Sequence, residues 1–291
     1  MNDDFLTVKF SLLSNKISKL AKYKSKADEI FTEHHHKIKD THAQLPDWSI
    51  IKESGQPYHF YYQSPSTGED ITASAAPLKL EDQLELNTLQ KLKMYHWLLA
   101  EAYEEFEKFV VEAHAYCGVK QLSLWIKPLN WSDNNSGDIT YYKKKFKYKD
   151  ESGVPYRQLN AFRAGSKHFA KYETDGPTRT NYRVLLAVIE QFRHRIVHNG
   201  GYCQDLKLFM DDVQGKLPGI NRKTVTPYVE SYFFLHGEGH LIDLLEYEAF
   251  DEDGTPNGCY HDTVPHFLTV LVEYAQLIIE SIQVHLTADK E

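Results

Sequence analysis

The 291 residues make one large domain or two modest ones, at roughly 100–200 residues per domain. With 42% apolar and 25% charged residues, 15 Gly and 11 Pro, the composition excludes collagenous, coiled-coil and disordered chains. The net charge of −8 argues against generic nucleic-acid binding, because counterion release needs clustered cations.

The start, Met1-Asn2-Asp3-Asp4, is acidic where a secretory signal is basic, so export is not expected. Residues 6–40 carry Phe10, Leu13, Ile17, Leu20 and Ile30 at helical spacing with no Pro or Gly, which predicts one or two amphipathic helices. Pro46 ends that pattern. Gly55, the aromatic run Tyr58 to Tyr62 and the break Pro65-Ser66-Thr67-Gly68 then predict a small β-hairpin within residues 48–76. Residues 81–116 hold Leu84, Leu89, Leu92, Trp97, Leu98, Tyr103, Phe106 and Val110 without interruption and end before Gly118, predicting the longest helix.

Residues 122–131 are short and apolar, and 132–138 are a polar loop. The segment 141–183 then carries eleven basic against four acidic residues, a local charge of +7 in an otherwise acidic chain. Within it Lys143, Lys144, Lys145, Lys147 and Lys149 alternate with Phe146 and Tyr148. Cations for phosphates and rings for bases suit a single RNA strand; a lysine-protected hairpin edge or solvated loop reads equally well. Helix is expected again at 155–171, a turn at 174–177, and a helix over 180–199. Beyond Gly201 the pattern predicts a helix at 206–213, β-structure at 224–250 and a last apolar helix at 263–286. No run reaches the roughly 18 uninterrupted apolar residues of a membrane helix, Glu273 splitting the best candidate, so no membrane partner is expected.

Cys117, Cys203 and Cys259 are an odd number with no C-x-x-C pair, so neither a disulfide framework nor a zinc ribbon is indicated, and a reducing cytoplasm fits best. His34-His35-His36 are consecutive and diverge by about 100° on a helix, so they do not chelate together. His236-Gly-Glu-Gly-His240 has two glycines that favour a turn over the helix a zinc motif needs. No nucleophile elbow, phosphate-binding loop or dinucleotide fingerprint occurs.

The chemistry concentrates before Gly200-Gly201. At about 100° per residue, Leu185, Val188, Ile189, Phe192 and Ile196 form a core stripe. Glu190, Arg193, His194 and His198 share the face beside it, and Arg195 points elsewhere. A guanidinium fork holds a phosphate or its transition-state charge, and an imidazole that titrates near neutrality moves the 2′-hydroxyl or leaving-group proton. The same spacing also permits an ordinary Glu190–Arg193 surface pair, with His198 favoured by the helix dipole.

Arg193-His194-Arg195-Ile196-Val197-His198-Asn199 resembles the signature of HEPN domains, in which an arginine precedes a histidine by four to six residues at the end of a helix. The Ile-Val-His-Asn ending and the preceding Glu190 resemble the ribonuclease-type members. The resemblance rests on residues 190–201 and extends over 81–201. It implies a compact bundle of four or five helices and a homodimer whose two motif copies face one cleft. The activity implied is metal-independent RNA cleavage leaving 2′,3′-cyclic phosphate and 5′-hydroxyl ends, in toxin, antiviral or RNA-processing settings. By the same resemblance Arg193 holds phosphate and His198 is the general acid/base, with His194, Glu190 and Asn199 in support. No cofactor or metal is implied; RNA, a second copy and an antitoxin or other regulatory protein are the partners. HEPN toxins regulated by a nucleotidyltransferase carry a tyrosine two residues after the histidine. Here that position is Gly200, so such regulation is not expected. The family also includes members that bind without catalysis, which is the alternative reading.

The expected fold is therefore mainly α, a HEPN-like bundle with small β additions at its N-terminal and C-terminal sides. Residues 1–80 form an extension of helix and hairpin, and residues 81–291 the helical domain with a β insertion at about 220–250.

Overall fold

The computed structural model describes residues 5–125, 137–147, 155–250 and 255–288. The fold is mainly α, 67% helix against 12% strand. Ten helices and seven short strands are assigned among the described residues. The chain divides into two compact units, one of Met1–Lys22 with Tyr95–Glu291 and one of Tyr23–Met94. The division falls inside two helices, α1 (Phe5–Gln44) and α3 (Leu80–Val119), rather than at residue 80. Each helix therefore serves two cores. The two are equally long at 40 residues, so α3 shares the place of longest helix with α1.

In the Tyr23–Met94 unit, Lys91 pairs with Asp28 at 2.6 Å. Asn87 donates to the Phe31 carbonyl at 2.9 Å and meets His34 Nδ1 at 2.7 Å. A short helix α2 (Ile50–Ser54) precedes the hairpin of β1 (Gln56–Gln63) and β2 (Asp70–Leu78). Phe60 pairs with Ala73 and Tyr62 with Ile71, and a bulge separates Gln56 from Tyr58.

In the larger unit the first turns of α1 pack on α3. Phe5 stacks on Tyr116 at 5.6 Å, and Lys9 and Lys16 pair with Glu112 and Glu101. The helices α4 (Ile139–Lys147), α5 (Tyr156–Gly165), α6 (Lys167–Tyr172) and α7 (Tyr182–Asn199) follow. The helix expected over 155–171 is two helices, because Ser166 is extended and its hydroxyl accepts from the Phe169 N–H, restarting the chain as a cap. After β3 (Tyr202–Cys203) come α8 (Leu206–Gly215) and α9 (Arg222–Glu230). The β-structure expected from residue 224 begins only at 233. Asn221 caps Lys223 N, and Val225 and Val229, four apart, bury one helical face, so packing overrides their β-branched preference. The strands β4 (Phe233–His236) and β5 (Gly239–Ile242) form with β3 a sheet of order β3-β5-β4, turning at the expected Gly237, and β6 (Tyr247–Phe250) pairs with β7 (Pro256–His261). Of the apolar segment expected at 122–131, residues 126–131 lie outside the described residues, as do 132–136 of the polar loop.

The last helix, α10 (Thr263–Ala288), is long and apolar enough to cross a bilayer by length and composition. In the fold its apolar side is core instead: Phe267, Leu271, Tyr274, Ala275, Ile278 and Ile282 are fully buried. Tyr274 stacks on Phe106, Phe169 and Tyr182, joining α3, α6, α7 and α10, while Phe192, Phe209, Phe233 and Phe267 form a second aromatic cluster.

His114 on α3 is buried between Trp125 and Phe162, ring centroids 4.8 and 5.9 Å away. Burial pushes its pKa down to about 3, against a weaker opposing bond to the Leu124 backbone. As pH falls below about 6.5 the unfolded chain takes up a proton that the fold refuses, so stability falls until about pH 3, by about 1.4 kcal/mol per unit. Between pH 7 and 5, urea unfolding of His114→Gln should lose about 2 kcal/mol less than wild type does.

Candidate functional site

The α7 helix starts where the Asn181 side chain accepts from Val184 N at 3.1 Å and stops at two left-handed glycines, Gly200 (φ 62°) and Gly201 (φ 86°). Gly201 N–H turns back to the Arg195 carbonyl at 3.0 Å, and its own carbonyl accepts from Ile242 N at 3.0 Å, tying the helix end to β5. A Cβ at Gly201 would overlap the imidazole of His96, which is buried on α3 and held to the Ile242 carbonyl at 2.8 Å. Gly201→Ala should therefore cost about 2–4 kcal/mol, combining the left-handed penalty with overpacking. Gly219 has the same backbone but open space around it, so Gly219→Ala should cost only about 1 kcal/mol. Thermal midpoints of the two variants compare these costs directly.

The stripe Leu185, Val188, Ile189, Phe192 and Ile196 is buried as the spacing predicts. On the neighbouring face His194 and His198 are exposed and Arg193 is half-buried. The two imidazoles lie side by side, centroids 4.6 Å apart, as an i, i+4 pair does. Partial burial, then the positive charges of His198 and Arg195, hold His194 below the ordinary histidine pKa. His194 is thus a neutral base at pH 7.

Arg193 does not spend itself on Glu190. Its Nη2 donates to Glu104 Oε1 on α3 at 2.9 Å, while its Nε is buried without a partner. Glu190 faces Lys216, whose Nζ lies 3.4 Å from Oε1 and 5.0 Å above the Tyr156 ring. Around this pair sit groups that sequence reasoning missed. Glu107 has a raised pKa, chiefly through burial, with Arg193 opposing and Glu104 and Glu190 adding to it. Tyr103 and Tyr156 are buried phenols pushed well above the usual value, first by burial and then by one another or by Glu190. The signal was the α3 spacing Tyr103, Glu104, Glu107, but nothing in the sequence aligns α3 with α7.

Asn199 lies apart from Arg193. With Arg195, Tyr202, Cys203, Gln204, Asp205 and Leu208 it lines a cleft of about 520 Å³ on the other side of the helix end. There Arg195 pairs with Asp212 at 2.5 Å. Burial raises the Cys203 pKa, and its thiol donates to the Asp205 carbonyl at 3.2 Å.

The lysine run is a helix, α4, through Lys147, rather than a loop or hairpin edge. Lys143 is committed to Glu112 at 2.7 Å and Lys144 is exposed. Lys145 and Lys147 lie on the helix, and Lys149 lies outside the described residues. Among the described residues no group of three His, Cys, Asp or Glu is arranged to hold a metal. His236 and His240 belong to a hairpin, where His236 Nδ1 meets the Tyr202 hydroxyl at 2.9 Å. Comparison with protein-family models, with curated proteins and with solved structures gives no match.

Proposed function

We propose that this protein is a metal-independent, HEPN-type endoribonuclease acting as a homodimer, with the exposed end of α7 as its active surface and a toxin or antiviral role as its setting. The observation that carries this reading is the pair of adjoining, exposed imidazoles, His194 and His198, on the helix that carries an arginine anchored on α3, His194 directly after it and His198 one turn further along. A neutral imidazole takes the proton of the 2′-hydroxyl, and O2′ attacks phosphorus. The P–O5′ bond breaks and an imidazolium returns a proton to O5′, leaving a 2′,3′-cyclic phosphate and a 5′-hydroxyl. Arg193 neutralises charge developing on the phosphoryl oxygens. A second copy supplies the further acid and cation that one motif lacks, and Lys144, with the rest of its helix, gives an acidic protein a local basic approach.

A second reading has its own observation. Glu104, Glu107 and Glu190 crowd around Arg193, and that suits a scaffold or a binding module as well as a phosphate site. The two readings separate when wild type and His198→Ala are incubated with total RNA in excess EDTA and the ends are mapped. Cleavage by wild type alone, with cyclic phosphate ends, supports the nuclease. RNA retained uncut by both proteins supports the binding module, and equal cleavage by both removes His198 from the mechanism.

A further inference from the structure

Away from the exposed face of α7, the larger unit carries a second cavity of about 520 Å³. One wall is a stripe of α10 that runs from Val272 and Glu273 through Gln276 and Leu277 to Glu280. The facing side is aromatic, with Phe10, Tyr172 and Tyr182, and the turn 176–178 closes the rim. That turn leads into Arg179, held at a left-handed φ of 56°, a strained conformation for a residue with a long side chain.

The charge of the lining is one-sided. Among the described residues it holds two carboxylates and one imidazole, and no lysine or arginine. Glu273 accepts from the Tyr182 hydroxyl at 3.1 Å, which also meets Thr178 Oγ1 at 3.0 Å. Glu280 accepts an amide N–H of Gln276, at 3.0 Å. Among the described residues neither glutamate forms an ion pair. The rings already show a taste for cations, since Lys171 places its ammonium 4.9 Å from the centre of Tyr172.

Two unmatched carboxylates beside apolar and aromatic walls call for a cation with an apolar body. The two glutamates are seven residues apart, about 10.5 Å along the helix at 1.5 Å per residue, so they cannot share one metal ion. They can hold the two ends of a linear molecule. We propose that this cavity binds an aliphatic polyamine, terminal ammonium groups on Glu273 and Glu280 and methylenes against the aromatic wall. The site is independent of RNA cleavage.

Isothermal titration of the full chain with spermidine in about 0.15 M salt, where exposed charges are largely screened, tests it. A saturable one-to-one isotherm is expected, weakened roughly tenfold or more by Glu280→Gln. It should be unchanged by Glu238→Gln, the same charge change at the exposed β4–β5 turn, and absent with 1,8-octanediol. Glu280 is exposed, so its replacement leaves the fold intact. Equal binding by Glu280→Gln, equal loss in Glu238→Gln, many unsaturable sites or equally tight binding of the diol would each overturn the proposal.

Discussion

Replacing Arg163 by alanine is expected to destabilise the larger unit by about 3–5 kcal/mol, a fifth or more of the roughly 5–15 kcal/mol that holds a typical domain together. The Arg163 guanidinium grips Glu173 through Nε, 3.0 and 2.7 Å from the two carboxylate oxygens, and through Nη2 at 2.5 Å. Tyr274 donates its hydroxyl to the same carboxylate, and Arg163 also reaches Asn160 at 2.6 Å. Glu173 is 1% exposed, so truncating its partner strands a charge in the aromatic core. Burial works against the cation, but Tyr274 and Glu173 outweigh it and hold the guanidinium protonated above its ordinary range. Replacing both partners with apolar residues of similar volume, as in Arg163→Met with Glu173→Leu, should recover much of the loss, because no lone charge remains. Urea midpoints at unchanged m-value measure both effects; an alanine variant within about 1 kcal/mol of wild type would mean that the pair is solvated.

The second large effect concerns activity. If His198 transfers a proton in RNA cleavage, His198→Ala should lower the rate by about 10²- to 10⁴-fold while the melting temperature barely moves, since an exposed side chain contributes within about 0.5 kcal/mol. Arg193→Lys is the companion. It keeps the charge but loses the planar fork, so a fall of about 10²-fold with folding unchanged would assign Arg193 to the phosphate. A variant that melts early and cuts at the normal rate would instead assign it to the Glu104 bridge. In His194→Ala, the low pKa of His194 predicts a cleavage profile altered on its acid side, below the ordinary histidine range.

Much of α7 was legible. Its apolar stripe and double-glycine end are local signals, and they are realised by buried side chains and a local hydrogen bond. The grouping of His194 with His198 followed from helical geometry alone. The partner of Arg193 did not. Spacing offered Glu190 three residues away, yet Glu104, 89 residues distant, takes the guanidinium because α3 packs beside α7. Asn199 went with the motif in sequence but lines the cleft with Arg195, because the two are four residues apart on α7 and share a face.

Sequence by itself determined the helical class, the stop at Gly200, the first hairpin, the turn at Gly237 and the cluster of titratable groups at one helix end, because periodicity and left-handed glycines act within a few residues. Gly118, where a stop was expected, lies inside α3, which runs on to Val119. Only the tertiary structure decided that α1 and α3 are each shared by two cores, that residues 222–230 are helix, that Lys143 is bound to Glu112, and that Glu173, Arg163 and Tyr274 meet. Those outcomes depend on which apolar faces bury against each other across large sequence separations. A side chain's charge partner is fixed by that packing rather than by its neighbours in the chain.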